Sequence, residues 1–384
     1  MIVSVDAPDL AVFLFVLALR LFVPLGILRY PLPAILASLV IDAADQTIFQ
    51  RMTDIDLEEL NYQGYDKALD IYYLTIAYIA TFRNWKSGTA IAVAAALWYY
   101  RLVGVALFEL TEWRPLLIIF PNTFEYFFIF MAVVRLRWDT DRLSNRQIIG
   151  AAAAIWIFIK LPQEYWIHIA QLDTTDVMKE QLFGVEATDS WGTAFSNRPL
   201  VLVVLVVAVV GLFALLAQFW SRLPPADHPL TFDADRLPGP EPVDPLLPRR
   251  WNEGLGEKLV LTTLVTVIFA NALGDTPATT LEIAVGVGLV VSGNALLTQF
   301  VRRFDAAWST TLRAFATTLL VNVAILIAYR IVAPSDDEDP FYATAFFLLL
   351  LSLIIALFDR YRPPKPYAET EIVTSTVTST VTLA

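Results

Sequence analysis

The chain has 384 residues, 57% of them hydrophobic and 17% charged, with a mean hydropathy of +0.59, a net charge of −11 and no cysteine. That much apolar side chain exceeds what a soluble fold of this length can hide, so the chain belongs in a bilayer. The absence of cysteine excludes disulfides, thiolate metal sites and cysteine nucleophiles, and the acidic balance argues against nucleic-acid partners, which need a basic stripe.

The apolar residues fall into blocks of about 17 to 22, the length at which a helix covers roughly 30 Å of hydrocarbon. Eleven blocks are expected in chain order: 9–27, 31–49, 66–82, 87–109, 115–134, 147–168, 199–219, 258–274, 280–300, 309–330 and 341–358. The fold class is therefore all-α, a polytopic bundle of about eleven transmembrane helices passing many times through a cell membrane. "MIVSVDAPDL", ahead of the first block, is acidic and lacks the basic n-region of a signal peptide, so that block reads as a mature helix.

Loop charge alternates along the same order. Basic residues leave every odd block: Arg29; Arg83 and Lys86; Arg135, Arg137, Arg142 and Arg146; Arg222, Arg249 and Arg250; Arg302 and Arg303; Arg360, Arg362 and Lys365. Even blocks exit into acidic stretches such as "TDIDLEEL", "ELTEW", residues 173–189, Asp275 with Glu282, and "SDDEDP". Cytoplasmic loops retain Lys and Arg, which places the N-terminus outside and the C-terminus in the cytoplasm. With 6 Lys against 21 Arg, the acidic, lysine-poor surface resembles that of proteins from a high-salt cytoplasm.

The expected organisation is a six-helix module (1–170), an extracytoplasmic loop (171–198) and a seventh span (199–219). A proline-rich cytoplasmic linker (220–257), a four-helix module (258–359) and a Thr-rich tail (360–384) follow. The linker holds eight prolines and no apolar period, which reads as an extended, solvent-exposed connector.

A charged side chain inside a span costs about 2.5 to 3.5 kcal/mol on insertion scales and normally faces a cavity or a partner. The first six blocks hold Arg20, Asp42, Asp45, Asp66, Asp70, Arg101, Asn122, Glu125, Lys160, Gln163, Glu164 and His168. Under the orientation above, most of these lie between mid-membrane and the outer surface, as the lining of an outward-opening polar pocket. Asp42 and Asp45 are spaced i,i+3, Asp66 and Asp70 i,i+4, and Lys160, Glu164 and His168 i,i+4,i+8. Asn122 and Glu125 also share a face.

The four aspartates offer hard oxygen ligands for a divalent cation such as Mg²⁺ or Mn²⁺. Asp45 and Asp66 read equally well as helix-end residues, Asp66 as an N-cap. Glu164 and His168 suit metal ligation or acid–base work, with Glu125 a further proton-moving carboxylate; beside Tyr165 and Trp166 they also fit an interfacial pair. Arg20, Arg101 and Lys160, with Asn122, suit an anionic headgroup or phosphate. The three cations are alternatively counter-ions to Asp70, Glu125 and Glu164.

"DAADQ" followed by "GYDKALD" loosely resembles the CDP-alcohol phosphatidyltransferase pattern D-G-x-x-A-R, G-x-x-x-D-x-x-x-D, in which four aspartates on two helices bind metal and a CDP-linked lipid. The resemblance matches Asp42, Asp45, Asp66 and Asp70 over about thirty residues. Ala43 replaces the motif glycine, Gln46 and Thr47 stand for Ala-Arg, and Gly64 is two residues from Asp66 instead of four. The site would also face away from a cytosolic donor, and the resemblance is set aside.

Two functional classes follow. One is a metal-assisted intramembrane enzyme acting on an amphiphilic or lipid-linked substrate from the extracytoplasmic side. The other is a transporter or channel holding a cation in the same acidic pocket; a scaffold whose charges only lock helices is a third reading. The expected partners are the lipid bilayer and a lipid-like or small charged ligand.

Overall fold

The computed structural model describes residues 7–53, 62–170, 172, 174–220, 222–237, 253–272, 288, 290, 292–293, 308–332 and 341–361. Among these residues all regular structure is helical and no strand occurs. Helix α1 (Ala7–Phe22) tightens into a 3₁₀ turn, Val23–Leu28, and the chain re-enters at Pro31 to form α2 (Pro31–Met52). Proline fits the first turn because its missing N–H would have no intrahelical acceptor there. Next come α3 (Tyr62–Asn84) and α4 (Gly88–Thr111), the latter started by Ser87, whose side chain accepts from the Ala90 N–H.

Helices α5 (Pro115–Ile119) and α6 (Thr123–Val134) form one span interrupted at Phe120–Pro121–Asn122. Helix α7 (Asn145–Ile155) opens with a capping box between Ser144 and Gln147. It runs through a π turn (Trp156–Lys160) into α8 (Leu161–Glu164) and a second π turn (Tyr165–Ile169). Pro162 supplies no N–H to this ladder, a known cause of such breaks. The remaining helices are α9 (Thr174–Val177), α10 (Trp191–Asn197), α11 (Pro199–Trp220), α12 (Glu253–Ala272), α13 (Trp308–Val332) and α14 (Phe341–Tyr361).

Helix covers every expected apolar block except the ninth, 280–300, which lies almost wholly outside the described residues. Five helices among the described residues are long and apolar enough to cross a membrane, six if the bent pair α10–α11 is one span. This is the property of a membrane protein, but it does not reach the count of eleven. The charges of α3 (Asp66, Lys67 and Asp70) keep it below that measure, and the ninth block with parts of α11, α12 and α13 lies outside the residues whose side chains are described. Several acidic exits on which the orientation rested (54–60, Asp173, Asp275, Glu282 and 335–340) lie outside the described residues, as do Arg249, Arg250, Arg302, Arg303, Arg362 and Lys365.

Helix α3 is the axis of the bundle. Tyr72, Ile76, Ala77, Tyr78 and Ile79 are fully buried, and α3 packs against the 3₁₀ turn, α4, α12 and α14. Leu261, Val265 and Ile268 of α12 and Leu350, Leu351 and Ile354 of α14 join the same core, so helices on both sides of the proline-rich stretch share one interior. The Tyr78 hydroxyl donates to Glu257, and Lys258 pairs with Asp359 at 2.7 Å. By contrast α11 leaves Leu200, Val207, Phe213 and Leu215 exposed, as lipid-facing side chains should be, and meets α10 at 98°.

Part of the proline-rich stretch is docked on the bundle. Residues 224–237 cross one end, where the Pro224 carbonyl accepts from Trp138 Nε1 (3.2 Å) and the Pro225 carbonyl from Arg142 (2.9 Å). Asp227 pairs with Arg142 (3.2 Å), Asp233 with Arg29 (3.0 Å) and Asp235 with Arg83, while the Ala234 N–H donates to the Arg29 carbonyl (2.8 Å). Arg29, Arg83, Lys86, Arg137 and Arg142 thus meet at a single basic end of the bundle.

The hydrogen bond from Arg29 holds the Asp233 carboxyl below its ordinary value, and the same bond raises Arg29. A depressed carboxylate contributes attachment that is complete above its unfolded value of about 3.9 and is lost as pH falls through the folded value. Strap attachment should therefore be constant from pH 7 to about 4 and weaken below it. At neutral pH, Asp233→Asn should speed proteolysis within 224–237 about two- to fivefold, the scale of one exposed ion pair. An unchanged cleavage rate would show that the pair does not hold the strap.

Candidate functional site

Three helices build an acidic cage around one guanidinium. Arg20 comes from the last turn of α1, Asp42 and Asp45 from α2, and Asp66 and Asp70 from α3. Arg20 is 6% exposed and donates through one terminal nitrogen to Asp45 and Asp66, and through the other to Asp42 and Asp70, the last at 2.7 Å. Four of its five N–H groups are used in charge-assisted bonds.

The spacing explains the convergence: i,i+3 on α2 and i,i+4 on α3 turn each aspartate pair to one face, and the two faces meet over Arg20. Arg20 is thus a counter-ion to Asp70, as one reading of the sequence has it, and to the other three as well. Asp45 is 1% exposed, and its second oxygen accepts the Gln46 N–H at 2.6 Å. The Tyr62 hydroxyl beside it is buried with no hydrogen-bond partner among the described residues. Asp42, Asp45 and Asp66 each present an oxygen within 4.8 Å of the others and can hold a metal ion.

Depth along the helices is counted from the basic end. Helix α2 runs on to Met52, so at 1.5 Å per residue Asp42 lies about 17 Å and Asp45 about 21 Å from the basic end. By the same count Asp70 is about 21 Å above Asn84, Arg101 about 20 Å above Gly88 and Glu125 about 14 Å above Val134. Asp66 is about 27 Å above Asn84, so on helices about 32 Å long the cage runs from the middle into the half away from the basic end, and Asp45 is its most enclosed carboxylate instead of a residue facing water.

A second polar cluster adjoins the first through α3. Tyr73, one turn from Asp70, donates to Glu125 (2.6 Å), and Asn122 Nδ2 donates to the other Glu125 oxygen (3.0 Å). The Asn122 backbone N–H, freed by the break before α6, donates to Glu164 (3.2 Å). Lys160 reaches Glu164 (3.6 Å) and Gln163 (2.9 Å) and lies over the Tyr126 ring at 4.6 Å. Asp70 and Tyr73 lie one turn apart on α3, so the two clusters adjoin through the same helix face.

Asn122 Oδ1 and the Thr123 hydroxyl are buried there without partners among the described residues. Each such atom costs about 1–3 kcal/mol unless water or a ligand satisfies it.

The other expected residues divide. Lys160 and Glu164 face one another as their spacing requires. The second π turn replaces the α-helical spacing on which the alignment with His168 rested, and the His168 side chain lies outside what is described. Arg101 donates to the Phe120 carbonyl (3.0 Å) at the break between α5 and α6, and so braces the second cluster instead of the cage. Tyr73 was legible only as part of a Tyr-rich run; its position three residues after Asp70 is the signal that places it on the polar face.

No protein family model, curated protein or solved structure matches the chain. The likeness of the aspartate segments to CDP-alcohol phosphatidyltransferases accordingly extends no further than those segments, and the site stands on its own chemistry.

Proposed function

We propose that the protein binds a cation in the aspartate cage at mid-membrane and carries it across the bilayer. One observation carries this reading: four carboxylates share a single guanidinium, so with all of them ionised the cage holds three more negative than positive charges. Ionisable groups at that depth need partners, and a divalent cation such as Mn²⁺ or Mg²⁺, or protons, would supply the missing charge.

Two features favour transport over the enzyme reading. Transporter sites lie at the midplane beside interrupted helices, and here the break at Phe120–Asn122 and two π turns flank the polar clusters. The collection of Arg29, Arg83, Lys86 and Arg142 at one end supports an arrangement of about eleven spans, with that end in the cytoplasm and the N-terminus outside a cell membrane. A metal-assisted enzyme acting on a lipid-linked substrate is the second reading. It is favoured by the Tyr73–Glu125 and Lys160–Glu164 pairs, which place proton-moving groups next to the cage.

Liposomes containing the protein and a Mn²⁺-quenched dye should show Mn²⁺ entry that Asp42→Asn reduces more than tenfold. Mn²⁺ bound by the purified protein without entry would move the assignment to the enzyme. Neither binding nor entry, with protons also failing to move, would remove the cation proposal.

A further inference from the structure

A second site lies at the basic end, away from the cage. Beneath the docked strap is a cleft of 160 Å³ lined by Lys86, Arg135, Trp138, Asp139, Asp227 and Leu237, among others. Its volume is about five waters at roughly 30 Å³ each, below the roughly 300 Å³ of a pocket for a drug-sized molecule. The acids facing it are already paired, Asp139 with Lys86 (3.2 Å) and Asp227 with Arg142 (3.2 Å).

Arg135 is the cation left over. It is half-buried at the end of α6, and among the described residues its side chain has no ion pair or hydrogen bond, while the charge of Arg83 acts on it as well. Burial, only partly offset by the nearby charge of Asp139, lowers it to about 10, so at neutral pH the guanidinium is charged and desolvated, with no bonded counter-ion among the described residues. A planar fork of donors in that state matches two oxygens of a phosphate group. Trp138, donating to the Pro224 carbonyl, and Leu237 close the cleft from the sides and bring the strap over it. The location at the end of the apolar spans is the level of lipid headgroups.

We propose that Arg135, under the 224–237 strap, anchors a phosphate-binding site that takes the phosphodiester of an anionic lipid headgroup or a free phosphate ion. The test is calorimetric titration of the full-length protein in phosphate-free maltoside micelles, with inorganic phosphate in one arm and dihexanoyl phosphatidylglycerol in the other. Saturable binding is expected, weakened at least tenfold by Arg135→Gln and partly regained with Arg135→Lys. Leu237→Phe, which fills the cleft and leaves every charge in place, should weaken binding too and keeps the test valid should Arg135→Gln fail to fold. Binding of the lipid alone identifies the headgroup as the source, and binding of phosphate alone identifies the free ion. Absence of binding in both arms, or wild-type affinity in Leu237→Phe and whichever Arg135 variant folds, would overturn the proposal.

Discussion

Arg20→Met is expected to lower the stability of the folded protein by about 3–5 kcal/mol, the usual cost of removing one partner from a buried charge cluster. Asp45 is 1% exposed and Arg20 6%, so this pair at the least is closed to bulk solvent. Thermal unfolding of the full-length protein in detergent measures the loss. Asp45→Asn in the same background should recover part of it, because it removes the most enclosed of the four uncompensated carboxylates. The decisive arm is added Mn²⁺. A cation-binding cage freed of its guanidinium should bind the ion more tightly than wild type, and saturation at a hundredfold over Kd would return about 2.7 kcal/mol. An unfolding midpoint that Mn²⁺ leaves unmoved in Arg20→Met would reduce the cage to a helix lock, which is the scaffold reading.

What the sequence exposes about this site is set by the range of the signals. Helical spacing is local, so it reports that Asp42 faces the same way as Asp45 and Asp66 the same way as Asp70. It does not report which helix lies opposite; Arg20 stands out as a charge in an apolar run, yet its four partners are 22 to 50 residues away. The enclosure of Asp45 was hidden for a related reason. Hydropathy finds the apolar stretch that ends near residue 49, whereas the helix continues through Gln50 and Arg51 to Met52. Those three extra residues add about 4.5 Å beyond Asp42 and Asp45 and enclose Asp45 within the helix. The strap was hidden differently: proline content reads as a connector, and nothing local tells that Asp227, Asp233 and Asp235 will find Arg142, Arg29 and Arg83.

Gly104→Ala should be strongly destabilising although it adds a single methyl group to a good helix position. A Cβ at Gly104 would clash with Phe120 Cβ and lie 2.5 Å from its Cγ, far inside contact distance. Phe120 cannot give way cheaply. Its ring packs on Tyr100 at 4.5 Å between centroids, its carbonyl holds Arg101 at 3.0 Å, and its backbone forms the break that leads to Asn122. Displacing it drags the Asn122 amide from Glu164 and the Asn122 side chain from Glu125. Overpacking of this kind costs about 1–3 kcal/mol and at times more. Gly150 in α7 is the internal control, since a Cβ there meets nothing within 4 Å. Gly150→Ala should stabilise by about 0.5–1 kcal/mol through helix propensity alone. Opposite signs for the two substitutions in thermal unfolding, with faster amide exchange at Asn122 in Gly104→Ala only, would identify the close approach of α4 to Phe120 as the contact that sets the second cluster. Equal and small effects would instead mean that α5 can slide, and that Glu125 and Glu164 are positioned by their own hydrogen bonds.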